Sequence, residues 1–160
     1  KCKLTQYEVD PLHLTRGVFE PDQGLLAGLV CYDSEFPEAA RALCEKGALA
    51  LAVPAFTETV RGFQRVRWCC QARATENQIF VLHASLVGSL GFEPCPRTYG
   101  SSAILTPSVE PFAESALLAL TVPNRPGLAF ANLDFDKLKQ TREQGDVRNW
   151  HDRDPSVWSG

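Results

Sequence analysis

Three short, nearly uninterrupted apolar runs, at residues 25–31, 48–54 and 79–85, alternate with two segments of helical periodicity. Runs of that length without polar alternation fit strands buried on both faces, and the helical segments between them supply the covering layers. Between the first two runs, Phe36, Ala39, Ala40, Leu43 and Cys44 make one apolar stripe over residues 36–46. Pro37 suits the first turn of that helix, Glu35 and Glu38 lie at its positive end, and Gly47 stops it. A longer helix is predicted over residues 62–78. The order strand, helix, strand, helix, strand with short connections is that of an α/β layered fold, with right-handed crossovers between parallel strands. After a Gly/Pro-rich loop at 86–99, residues 100–105 and 128–133 read as further strands, and 135–144 as a short helix closed by Gly145. From Asp146 the tail is polar and charged, and carries Trp150 and Trp158.

The chain's 160 residues, 44% hydrophobic and 22% charged, fit one globular domain with a real core. A net charge of -3 argues against nucleic acid or an anionic membrane as the main partner. No run approaches the ~18 apolar residues of a membrane span. The chain has no methionine and begins with a lysine, so a start further upstream is expected. Cysteines stand at 2, 31, 44, 69, 70 and 95 without a C-x-x-C pair, and Cys69 and Cys70 are neighbours. That is no disulfide framework, and it points to a reducing, cytoplasmic setting. His13, His83 and His151 are scattered and none has ligand spacing to a cysteine, so neither a metal nor another cofactor is expected.

Cys31 stands where an apolar strand ends and a tight loop leads into a helix. Such a corner presents a side chain at the carboxyl edge of a sheet, where α/β ligands bind. Turn N–H groups there can also face an incoming carbonyl. On position alone two readings stand, a buried structural cysteine and a nucleophile. Asp33 and Glu38 read as turn-holding and helix-capping residues. Arg73 and Glu76 read as a structural pair, His83 as a hydrogen-bonded core histidine, and Cys69 and Cys70 as helix-packing residues.

Gly28-Leu29-Val30-Cys31-Tyr32-Asp33-Ser34-Glu35-Phe36-Pro37-Glu38 resembles the nucleophile motif of the nitrilase, or carbon–nitrogen hydrolase, superfamily. Val53-Pro54-Ala55 and Arg73-Ala74-Thr75-Glu76-Asn77 resemble two further family segments, so the likeness extends over nearly the whole chain. The resemblance implies a four-layer α-β-β-α sandwich, incomplete at the N-terminus, with residues 1–160 as its carboxyl-terminal portion. It also implies a homodimer or higher homo-oligomer, and a Glu–Lys–Cys triad that needs no cofactor. Carried over residue by residue, Cys31 is the nucleophile. Lys1 opens a stretch similar to the family's Lys-x-His-Leu, with Lys3 in the usual histidine place and as the alternative catalytic lysine. Glu8 resembles the second family glutamate, which supports the lysine. The first triad glutamate lies upstream of the lysine in the family pattern, and so has no counterpart among these residues. A finer likeness, in Thr57-Glu58-Thr59, Arg65-Val66-Arg67 and residues 143–149, is to a bacterial branch in which some members carry an acetyltransferase-like domain before the hydrolase.

The expected activity is thiol-dependent hydrolysis of a small linear amide or carbamoyl compound through a Cys31 thioester. A thiolate is the attacking species, and a neighbouring ammonium favours it. The lysine and the Tyr32 backbone N–H then hold the oxyanion. Tyr32, Phe56 and Thr57 are expected to line the substrate pocket. The alternatives are acyl transfer from the same thioester and a non-catalytic nitrilase-like module or inactive fragment.

Overall fold

The computed structural model describes residues 25–89, 91, 97–154 and 156. Lys1, Lys3 and Glu8 lie outside the described residues. Five strands form one mixed sheet in chain order, β1 (Leu25–Gly28), β2 (Ala48–Ala55), β3 (Phe80–Ser85), β4 (Ala103–Leu105) and β5 (Leu117–Leu120). The first three are parallel, with Gly28 opposite Ala52 and Val53 opposite His83. The last two run antiparallel, with His83 opposite Ala103 and Ala103 opposite Leu120. Helix α1 (Pro37–Glu45) joins β1 to β2, α2 (Val60–Asn77) joins β2 to β3, and α3 (Phe135–Gln144) follows the sheet.

The apolar runs became strands because they are buried on both faces. On one face Leu51, Val53, Val81 and Leu105 pack against Leu43 and Cys44 of α1 and Val66, Cys70 and Ala74 of α2. On the other face Phe80 and Leu49 meet Leu138 of α3, with Phe112 and Phe135 edge-on to Phe80. Each fully buried large apolar side chain contributes roughly 2 kcal/mol before the entropy of ordering is subtracted. Helix ends follow the local chemistry. The Thr59 hydroxyl accepts from Gly62 N at 3.1 Å, and the Asp134 carboxylate accepts from Lys137 N at 2.8 Å. Pro37 occupies the first turn of α1.

Two expectations need correction. Residues 128–133 form no strand, and Leu128 and Phe130 are exposed. The fifth strand is instead Leu117–Leu120, which pairs with β4. The first strand ends at Gly28 rather than running through residue 31, and the tight loop expected after it is a 3-10 turn, Cys31–Glu35. Among the described residues no helix is long and apolar enough to cross a membrane.

Candidate active site

Strands β1, β2 and β3 end at one edge of the sheet, at Gly28, Ala55 and Ser85. The segments that follow them build a cleft there. Cys31 sits at the head of the 3-10 turn with φ 47°, in the left-handed region that a branched or substituted Cβ disfavours. Several bonds hold it there. Val30 N donates to Asp33 Oδ2 at 3.2 Å, and Asp33 N to Val30 O at 3.0 Å. The Ser34 hydroxyl donates to Cys31 O at 2.6 Å, and Arg73 Nη1 donates to Ser34 O at 3.4 Å. Ser34 and Arg73 are both buried beneath the turn. Arg73 in turn lies against Glu76, with Nε 2.8 Å from Oε1 but poorly aligned, and Nη2 donating to Oε2 at 3.4 Å. The expected Arg73–Glu76 pair therefore exists, and through Ser34 it braces the Cys31 corner.

The Cys31 thiol is half-buried and donates to Phe56 O at 3.4 Å. It opens on a cleft of about 460 Å³ whose walls include Tyr32, Glu35, Phe56, Thr57, Arg61 and Arg65. The loop after β2 is pinned from outside: Thr57 Oγ1 donates to Tyr99 O at 2.7 Å, and Tyr99 N donates to Thr57 O at 2.8 Å. Gly100 makes that approach possible, since a Cβ there would stand 2.5 Å from Ser85 Cβ. At the rim Arg65 Nε donates to Glu35 Oε1 at 2.7 Å, which holds the arginine firmly protonated. The Tyr32 N–H falls in the first turn of the 3-10 segment, where helix geometry supplies an N–H with no intrahelical acceptor.

The structure thus brings Cys31, Tyr32, Phe56 and Thr57 to one cleft. Arg61, Glu35 and the Tyr99 pin were not legible as pocket residues. Tyr99 lies in the Gly/Pro-rich loop, where periodicity carries no signal, and Glu35 reads as a helix-end acid.

Behind the cleft wall a second polar cluster is closed off. His83 is buried under Phe63, its ring stacked at 5.9 Å. Arg67 Nε donates to His83 Nδ1 at 2.9 Å, and Arg67 also donates to Ser101 O. A guanidinium only donates, so Nδ1 is bare and the ring proton sits on Nε2, 3.2 Å from the Ser85 hydroxyl. Burial, with the Arg67 charge beside it, pushes the His83 pKa down to about 4. His83 is the core histidine expected from the sequence. Cys44 and Cys70 are buried in the core, and burial raises both thiols to about 12. Cys31, Cys44, Cys69 and Cys70 are all free thiols. Among the described residues no group of three His, Cys, Asp or Glu side chains converges as a metal site.

The carbon–nitrogen hydrolase family model matches residues 4–143. The probable hydrolase YhcX of Bacillus subtilis is 39% identical over 142 residues, which cover 88% of this chain and 28% of the relative. A deaminated glutathione amidase of Synechocystis is 35% identical over 76% of this chain and 41% of the relative. The chain therefore spans less than half the length of these curated relatives. Among solved structures, a mutant amidase from Nesterenkonia sp. AN1 aligns with TM-score 0.64 and 27% identity, over 88% of this chain and 45% of the other. In that structure the acetamide moiety of fluoroacetamide is added covalently at the active-site cysteine. With a family match over most of its length and the nucleophile motif folded at the sheet's carboxyl edge, this chain belongs to the carbon–nitrogen hydrolase family of the nitrilase superfamily.

Proposed function

We propose that this chain carries the nucleophile and one wall of the substrate cleft of an amidase-type hydrolase acting on a small linear amide or carbamoyl compound. The observation that carries the reading is Cys31: a thiol in a left-handed turn at the carboxyl edge, open to a cleft and braced from below by Ser34 and Arg73. Such geometry costs about 1–2 kcal/mol per residue and persists where its surroundings hold it.

In this reading Cys31 Sγ attacks the amide carbon, and its proton passes to a carboxylate. The Tyr32 N–H and the lysine, Lys1 or its alternative Lys3, hold the oxyanion. Collapse expels ammonia or an amine carrying that proton and leaves a thioester. Water then attacks the thioester, the carboxylate takes the water's proton, and the carboxylic acid departs as the thiol is restored. Glu8 supports the lysine, and the first family glutamate, upstream of the lysine in the family pattern, is the carboxylate base. Phe56 and Thr57 shape this wall of the pocket. Amidase relatives and a covalent cysteine adduct in a structural neighbour support this chemistry.

The test is the intact protein with short aliphatic amides and carbamoyl compounds, ammonia release measured beside intact mass. Turnover with a transient acyl mass on Cys31, both lost in Cys31→Ala, is the expected result. Turnover that survives in Cys31→Ala overturns the assignment.

A further inference from the structure

A second cavity, of about 240 Å³, lies beside Trp150 and is lined by Lys139, Arg142, Glu143, Trp150 and His151. The buried amide of Gln78 fixes the tail that forms it: Gln78 Nε2 donates to Val147 O and Gln78 Oε1 accepts from Trp150 N, each at 3.0 Å. Three guanidinium groups gather on the one indole. Arg153 lies 3.4 Å, Arg142 4.2 Å and Arg41 5.4 Å from the ring centroid.

Two of these arginines have acceptors. Arg41 donates to Glu76 O and Arg153 to Trp150 O. Arg142 differs. It is only 8% exposed, its Nε is buried with no hydrogen-bond partner, and among the described residues its guanidinium meets no acceptor. Leaving the buried Nε–H of a cation unused is costly, and the indole face does not satisfy an in-plane N–H. The negative end of α3 favours a cation in its last turn, yet that accounts for the charge and not for the empty fork. Nor do nearby acids neutralise the cluster. Asp152 is paired with Arg148 at 3.3 Å and His151 at 2.8 Å. Among the described residues Glu143 is the one carboxylate on the cavity wall. Cys44, packed nearby, is a neutral thiol because burial raises it.

We infer that this cavity is an oxyanion site for a phosphate group, either free phosphate or the head of a small phosphate monoester, with Arg142 as its principal ligand and Lys139 as a second cation. A planar fork with unused donors suits two oxygens at once. An excess of cations over the single Glu143 favours a dianion over a carboxylate. The volume is several times that of a water molecule in the liquid, about 30 Å³, which leaves room for the group with part of its hydration.

The experiment is calorimetric titration of the intact protein at fixed ionic strength with sodium phosphate, glycerol phosphate and sodium acetate. Saturable one-to-one binding of phosphate or the monoester is expected, about tenfold or more tighter than acetate. Whichever of the two binds tighter identifies the source. Arg142→Gln should weaken phosphate about tenfold or more, and the exposed Lys139→Gln by a few-fold. Cys31→Ala should bind phosphate as the parent does, which separates this site from the thiol chemistry. No saturable phosphate binding, equal binding of acetate, or unchanged affinity in Lys139→Gln together with a folded Arg142→Gln would overturn the assignment.

Discussion

Cys31 and the pair Cys44 and Cys70 touch the same hydrophobic core, yet they are set up for opposite ends. Cys44 lies in the last turn of α1 and Cys70 in the middle of α2, both packed in the core, where burial holds the thiol in its neutral form; Cys70 also donates to Ser34 Oγ at 4.0 Å. Cys31 lies three residues past Gly28, the last paired position described for β1, where the chain turns away from the sheet and the thiol meets a cleft. Residue type is the same in all three. What differs is distance from a strand's carboxyl end and the conformation of one backbone bond.

That contrast can be broken in several ways. The largest effect is expected in Cys31→Ala, with turnover down by at least ~10³-fold while the unfolding midpoint stays near the parent's, as measured by steady-state rates beside thermal melts. Next comes the buried cluster behind the cleft. The His83 pKa is about 4 in the folded chain against an ordinary 6.5, so the unfolded chain takes up the proton first. Stability from this residue is therefore complete above about pH 6.5 and is lost as pH falls toward 4, by up to roughly 3 kcal/mol. Denaturant melts across that range should show the slope, and a folded His83→Asn variant should flatten it. An unchanged slope would mean that other groups govern acid unfolding. Cys70→Ala should cost about 1–2 kcal/mol in the same melts through the cavity it leaves, with kcat close to the parent's. A large fall in kcat would place Cys70 in the chemistry after all. The smallest signal is the labelling of Cys44 and Cys70 by iodoacetamide near neutral pH, expected to be negligible in the folded protein while Cys31 reacts. Peptide mass mapping reads all three at once.

Much of this was legible in the sequence because the parallel strands are buried on both faces. Residues 48–54 and 79–85 needed no partner to be recognised, and the stripe Phe36–Cys44 and the Gly145 stop carried α1 and α3. Residues 128–133 misled because apolar content alone does not make a strand: Leu128 and Phe130 are exposed, and the segment pairs with neither edge strand of the sheet, β1 or β5. Leu117–Leu120 was missed because four residues are too few for a period to show. At the site, Cys31, Tyr32 and the Arg73–Glu76 brace were readable from contiguous motifs. The Arg67–His83–Ser101 cluster and the arginines at 41, 142 and 153 around Trp150 were not, since only folding brings such distant positions together.

The φ of 47° at Cys31 has a consequence for how such a chain can be altered. Glycine would relax the corner, so the residue we propose as the nucleophile is also one the backbone would gladly lose. Selection for heat resistance alone should therefore drift toward a tougher but silent protein at this one position. On the proposed function, a thiol kept at this position is one that selection for turnover would hold against that drift.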